Sequence, residues 1–207
     1  MSLRPFFPQF RNWIPIALLS LATQPLWAAV SISLSGSAEN TSNALEKYRN
    51  NAISANISLA LGDHLLVGLT HRRSFEHKDG LKRSEGAKAD EYVYFPFKDY
   101  GESTTNSLDL TIIPYNGLIS PFVFGGVASR QFHNEIIFLD NKIRSSQTLF
   151  PIPNYGFGTV IQLGMGFQLK ITQTYTPGVQ TILDENGEEA NRLVKDSYTQ
   201  VWIGYKI

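Results

Sequence analysis

The chain ends in eleven residues whose side chains alternate between an apolar and a more polar set, Ser197-Tyr198-Thr199-Gln200-Val201-Trp202-Ile203-Gly204-Tyr205-Lys206-Ile207. One face carries Thr199, Val201, Ile203, Tyr205 and Ile207, and the other carries Tyr198, Gln200, Trp202, Gly204 and Lys206. A β-strand places successive side chains on opposite faces, and about ten residues suffice for a tilted strand to cross a bilayer. The segment is therefore predicted to be a membrane-crossing strand with its apolar face outward.

The first 28 residues are predicted to be a secretory signal peptide, which leaves residues 29–207 as one mature domain. Arg4 and Arg11 supply the positive region, residues 13–22 the apolar core and Leu26-Trp27-Ala28 a small-residue cleavage site. A transmembrane anchor is disfavoured because proline and polar residues interrupt the apolar run before the ~20 residues that a spanning helix needs.

The composition excludes several classes of protein. The full chain has 18 lysine and arginine and 18 aspartate and glutamate residues, and removing Arg4 and Arg11 with the signal leaves a formal charge of −2 (16 − 18), which argues against a general nucleic-acid binder. The chain has no cysteine, so disulfides and thiolate metal sites are unavailable, and the four histidines are too scattered to predict a metal site or cofactor. No apolar run after the signal is long enough for a membrane helix. A membrane location would therefore require a closed sheet.

Alternation along the rest of the chain predicts seven further strands. The eight strands are expected at residues 30–35, 52–61, 65–75, 104–113, 118–132, 155–163, 167–175 and 197–207. Short turns should lie at Gly62-Asp63-His64, Pro114-Tyr115-Asn116-Gly117 and Gly164-Met165-Gly166, and long loops at 36–50, 76–102, 133–153 and 177–196. The fifth strand does not reveal which face meets lipid, because Phe122 and Phe124 oppose Pro121 and Val123.

An even strand number, alternating short and long links and an apolar-out terminal strand resemble the small eight-stranded outer-membrane barrels of the OmpA, OmpX and OmpW type. The chain departs from that pattern in ending with Ile207, two places after Tyr205. The resemblance implies an all-β, eight-stranded antiparallel up-and-down transmembrane β-barrel with short periplasmic turns and long outer loops. It also implies a bacterial outer-membrane location and recognition of the last strand by the barrel assembly machinery. A soluble lipocalin-type barrel would instead place its bulky residues inside.

The polar faces of the predicted strands should meet in the lumen of such a barrel. An eight-stranded interior is wide enough only for side chains, so a pore is not expected and the polar groups should pair with one another. An ion pair between Arg72 and Asp109 on neighbouring strands is the specific hypothesis, since a buried charge without a partner is costly. The predicted lumen network consists of Arg72, Asp109, Arg130, Lys170 and Gln200.

A catalytic role must be weighed because residues 71–77, His-Arg-Arg-Ser-Phe-Glu-His, contain a nucleophile, a base and a carboxylate. Period two places Ser74 on the face opposite His71 and His77, so these groups would not meet on a regular strand. No catalytic residue is predicted, and whether the chain is an enzyme stays uncertain. A lipid A-modifying enzyme and a carrier of small hydrophobic ligands are the alternatives to a structural or surface-interaction role.

Basic residues cluster on the third strand and in the segment that follows it. Arginine's planar guanidinium suits phosphate, so contact with lipopolysaccharide is one expectation and an ordinary solvated loop is the other. The residues expected to make that contact are Arg73, Lys78, Lys82 and Arg83.

Overall fold

In a computed structural model the chain forms a closed β-barrel of eight strands, and the structure describes residues 29–43, 45–85, 92–138, 141–183 and 189–207. Each strand pairs antiparallel with its neighbours in chain order, and β8 closes the barrel against β1. The predicted up-and-down barrel is confirmed, whereas the predicted signal peptide, 1–28, lies outside the described residues. The strands are β1 (Val30–Ser42), β2 (Glu46–Ala60), β3 (Leu65–Glu85), β4 (Tyr92–Ile112), β5 (Ile119–Phe138), β6 (Asn141–Gly164), β7 (Phe167–Leu183) and β8 (Glu189–Lys206).

The outer face of the barrel carries a belt of exposed apolar side chains over part of its height. Closure of the sheet leaves no strand with a free edge. Successive side chains along each strand alternate between the lumen and the outer face. No helix in the described part of the chain is long and apolar enough to span a membrane. The exposed residues of this apolar belt include Ile32, Leu34, Ile53, Ile57, Leu69, Leu108, Leu110, Val123, Val127, Tyr155, Phe157, Phe167, Ile171, Val201 and Ile203.

The terminal strand adopts the predicted faces. Ile203 is 66% exposed on the outside, whereas Trp202 and Gln200 are 4% and 3% exposed inside. On β5, where the alternation was ambiguous, Phe122 is the inward residue and packs with Ile113 and Val160. Glycine makes this possible, because a Cβ on Gly158 of β6 would stand 2.5 Å from the Phe122 ring.

The barrel has two distinct ends. At one, here called the turn end, residues 61–64, 113–118 and 165–166 connect the strands, which confirms the three short turns. The last of these is a tight reversal in which Gly164, Met165 and Gly166 all have positive φ. The backbone of Ile207 donates a hydrogen bond to Val30 (2.8 Å) at the same end. The opposite end, here called the hairpin end, carries the four remaining connections.

The segments expected as long loops at the hairpin end are mostly β-strand, so those loop predictions were wrong in extent. β3 and β4 cover most of the predicted loop 76–102, and β5 to β8 cover most of 133–153 and 177–196. β1 and β2 likewise cover most of the predicted loop 36–50, and only residues 43–45 lie between them. The backbone ladder needs no apolar face, and opposite charges such as Lys78 of β3 and Glu46 of β2 pair across strands above the belt. Hairpins therefore project well beyond it.

Candidate functional site

A hydrogen-bonded network in the middle of the lumen is centred on Asp109. Its carboxylate accepts hydrogen bonds from Ser107 Oγ and from Asn154 Nδ2, both at 2.6 Å. Asn154 Oδ1 in turn accepts one from Thr176 Oγ1 at 3.0 Å. Asp109 and Asn154 are 7% and 4% exposed, so the network joins β4, β6 and β7 inside the barrel. The arrangement satisfies a buried carboxylate with neutral donors.

Lys170 lies in the same part of the lumen, on β7. Its ammonium stands 5.1 Å from the centroid of the Phe122 ring and 5.7 Å from that of Trp202. The Trp202 indole donates a hydrogen bond to Thr172 (3.0 Å), which fixes the ring. Aromatic faces attract cations, so contact with these two rings stabilises the lysine ammonium beside the barrel wall.

The predicted ion pair between Arg72 and Asp109 is absent from the structure. Strand register places Arg72 opposite Thr105 and Asp109 opposite Gly68, a separation of about 13 Å along the strands. The Arg72 guanidinium instead lies 3.7 Å from the centroid of the Tyr198 ring, and its Nη1 makes no hydrogen bond. Alternation predicted that both side chains face the lumen. It could not predict the register between β3 and β4, which determines how far apart Arg72 and Asp109 lie along the barrel axis.

The remaining two residues of the predicted lumen network also lie inside the barrel. Arg130 is 4% exposed and donates from Nη2 to Ser103 Oγ at 3.4 Å. Gln200 Nε2 donates to Ser54 at 2.7 Å and approaches Ser35 at 3.5 Å. Cavities within the lumen measure only about 70 and 40 Å³. Side chains thus fill the interior in the part of the chain that the structure describes.

Strand alternation divides the basic residues expected to contact lipopolysaccharide. Arg73 is on the outer face and pairs with Glu102 at 2.6 Å, whereas Lys78 has the same parity as the inward Arg72 and pairs with Glu46 at 3.1 Å. The backbones of Lys82 and Arg83 pair with Phe95 and Tyr94, but their side chains lie outside the described part of the structure. Of the four residues, Arg73 is therefore the one shown on the outer surface.

The motif at residues 71–77 does not assemble a catalytic group. Ser74 points inward and shares a hydrogen bond with Ser103 (2.8 Å). His71 is on the outer face, where Nδ1 is hydrogen bonded to Asn106 Oδ1 at 2.8 Å, and His77 Nε2 contacts Asp79 at 2.7 Å. Period two thus separates the serine from both histidines, as the alternation indicated.

A concave site that the sequence did not suggest lies on the outer face between the apolar belt and the hairpin end. This outer groove has a volume of about 830 Å³. It is built on five adjacent strands, β2 to β6, by two register rows of directly opposed residues. One row is Asn51, Phe75, Glu102, His133 and Ser146, and the other is Arg49, His77, Tyr100, Glu135 and Arg144.

Charged groups in the outer groove are partly paired. Arg144 Nε donates to Glu135 at 2.6 Å and Lys142 approaches the same carboxylate at 3.5 Å. The bond from Arg144 is the main cause that lowers the pKa of Glu135 below its ordinary value. The His77 and Tyr100 rings are in contact, with their centroids 4.5 Å apart and their planes tilted by 43°. Among the described residues no group of three histidine, aspartate or glutamate side chains could hold a metal ion.

Comparison with known proteins identifies the fold. No protein-family model and no curated protein matches the chain. The attachment invasion locus protein Ail of Yersinia pestis matches with a TM-score of 0.51 and 10% identity over 87% of this chain and 99% of that chain. A major outer membrane protein of Thermus thermophilus matches with a TM-score of 0.50 and 14% identity over 87% and 99%. The chain therefore has the fold of small eight-stranded outer-membrane β-barrels.

Proposed function

We propose that the chain is an integral protein of the bacterial outer membrane with a structural or surface-interaction role. The observation that carries this proposal is the inversion of the usual polarity of a protein, with an apolar belt outside and serine, threonine, asparagine and charged residues buried inside. A soluble protein rarely exposes so large an apolar surface, whereas lipid accepts it, and the closed ladder leaves no strand edge unpaired in the bilayer.

The lumen is best suited to act as a rigid polar plug. Its cavities of about 70 and 40 Å³ are far below the ~300 Å³ or more that a pocket for a small organic ligand needs. A carrier of hydrophobic molecules would also need an apolar interior, whereas Asp109, Asn154 and Gln200 are buried here. We therefore expect neither steady conduction of ions nor carriage of ligands through the barrel.

The outer surface is the part of the molecule suited to interaction. Arg49, Arg73 and Arg144 are exposed on the outer face beyond the apolar belt, where we expect lipid phosphates to meet water. Guanidinium groups bind phosphate in a planar, two-pronged geometry, so lipopolysaccharide is the proposed partner. Ail, which has the same fold, is described in complex with the heparin analogue sucrose octasulfate. An anionic saccharide is therefore the second ligand that we propose for this surface.

Membrane fractionation and electrophoresis of the full-length protein test the proposed location. The protein should co-sediment with the outer membrane, and the unboiled form should migrate differently from the boiled form because a closed ladder resists detergent. Reconstitution in a planar bilayer should give no steady conductance. Recovery in a soluble fraction without detergent would contradict the membrane proposal, and stable channels would contradict the closed lumen.

Binding of purified lipopolysaccharide, followed by the shift in the thermal unfolding midpoint, tests the proposed partner. The double variant Arg49→Gln with Arg144→Gln should bind more weakly, with a smaller salt dependence, because two phosphate-binding groups are lost. Lys206→Gln, at the turn end, is the matched control and should bind as the wild type does. Equal binding by all three proteins would contradict the assignment of this surface.

A further inference from the structure

The outer groove aligns a carboxylate, an imidazole and a hydroxyl on three consecutive strands. Glu102 of β4 is directly opposite His133 of β5, and His133 is directly opposite Ser146 of β6. Directly opposed residues point to the same face, and their Cβ atoms are about 4.5–5.5 Å apart. The histidine therefore stands between the acid and the serine, in the order that serine hydrolases use.

The surroundings allow these three side chains to bond to one another. Arg73 donates to Glu102 through Nε at 2.7 Å and through Nη2 at 2.6 Å, which holds the carboxylate on the outer face. His133 and Ser146 are exposed, and among the described residues no hydrogen bond ties either side chain elsewhere. No hydrogen bond joins these three described side chains to one another in the structure, so the site requires a change of side-chain rotamer, and catalytic hydrogen bonds are often loose before a substrate binds.

We propose that Ser146, His133 and Glu102 form a site that hydrolyses carboxylic esters. Ser146 Oγ attacks the ester carbonyl while His133 accepts its proton, and Glu102 orients the imidazole and stabilises its positive charge. The carbon–oxygen bond to the alcohol then breaks as His133 returns the proton to the leaving oxygen. Water, deprotonated by His133, attacks the acyl-serine; the bond between the acyl carbon and Ser146 Oγ breaks as His133 returns the proton to Oγ, which releases the carboxylic acid and regenerates Ser146.

Other groups in the groove fit this chemistry. Arg144 is two residues from Ser146 on the same face, so its Nη groups can donate to the oxyanion while Nε keeps its bond to Glu135. The volume of about 830 Å³ and the rings of Phe75 and Tyr100 suit an ester with an apolar acyl group. Such esters occur both in membrane lipids and in soluble acyl compounds, and the geometry applies to either source.

The full-length protein in detergent provides the test, with p-nitrophenyl butyrate as the soluble probe and lipopolysaccharide or phosphatidylethanolamine vesicles as the lipid probes. Ser146→Ala and His133→Asn should each lower hydrolysis by roughly 100-fold or more. Controls are Thr148→Ala, which removes a hydroxyl from the same face of β6 outside the groove, and His71→Asn, a histidine on the outer face away from the groove. Both controls should retain the wild-type rate, and unboiled electrophoresis verifies the folding of every variant.

Covalent labelling gives a readout that a structural role would not affect. A fluorophosphonate probe should label the wild type at Ser146, identified by mass spectrometry, and labelling should be lost in His133→Asn. Hydrolysis of the butyrate alone supports a soluble ester as substrate, and release of fatty acid from vesicles supports a lipid. Absence of both hydrolysis and labelling, or an unchanged rate in Ser146→Ala, would overturn the proposal.

Discussion

Asn154 donates a hydrogen bond of 2.6 Å to Asp109 across the intervening strand, over the backbone of Gly126. Register places the three residues in one row, with Gly126 of β5 opposite Asp109 of β4 and opposite Asn154 of β6. A Cβ at Gly126 would stand 2.6 Å from Asp109 Oδ1 and 2.0 Å from the Leu108 carbonyl oxygen. The missing side chain thus provides the space through which the two polar groups meet.

Gly126→Ala should impair folding severely, because the added methyl group would collide with the backbone of β4 rather than with a flexible side chain. Gly125→Ala is an adjacent control with nothing within 4 Å of the new Cβ. Refolding yield into detergent, read by unboiled electrophoresis, compares the two variants. Similar yields would show that the close approach at Gly126 is not needed for assembly.

Asn154→Ala should destabilise the barrel by about 1–3 kcal/mol, since it removes a donor from a buried carboxylate and an acceptor from Thr176. Urea unfolding in lipid vesicles measures the loss. Asn106→Ala, which removes an exposed amide bonded to His71, should cost less. A smaller loss for Asn154→Ala than for Asn106→Ala would show that the lumen network contributes little.

Combined substitutions distinguish the pairing seen in the structure from the one that the sequence suggested. Arg72→Gln and Asp109→Asn should be additive within about 0.5 kcal/mol, because the two side chains are at different heights in the lumen. Asp109→Asn combined with Asn154→Ala should depart from additivity, because those residues share a hydrogen bond. Unfolding midpoints of the single and double variants give the coupling energy of each pair. Coupling between Arg72 and Asp109, with none between Asp109 and Asn154, would contradict the observed register.

Ile203→Arg should cost about 2–4 kcal/mol in a bilayer, since an exposed residue of the apolar belt would bring a cation into lipid. Ile207→Arg, at the turn end of the same face, should cost at most about 1 kcal/mol, because the charge can reach water there. The two losses are measured by reversible unfolding from vesicles. Equal losses would show that Ile203 does not lie at greater depth than Ile207.

The number of strands and the facing of their apolar residues follow from the sequence alone. Period-two alternation is a local property, so Ile203 outside and Gln200 inside could be assigned without coordinates. The three short turns were equally local, because Gly-Asp, Asn-Gly and Gly-Met-Gly permit tight reversals. Alternation left only the facing of β5 undecided, because its two faces carry similar residues, and the glycines of β6 opposite Phe122 and Phe124 decided the outcome.

Only the tertiary structure decided which residues meet. Register is a relation between strands, so no local pattern shows that Asp109 lies opposite Gly126 instead of beside Arg72, or that Glu102, His133 and Ser146 share one row. The length of the hairpins could not be predicted for a related reason. Beyond the apolar belt both faces of a strand can be polar, so alternation no longer marks these residues as β-strand. The sequence by itself thus determined the barrel and the inward or outward facing of its side chains. Strand register determined which residues form the lumen network and the outer groove.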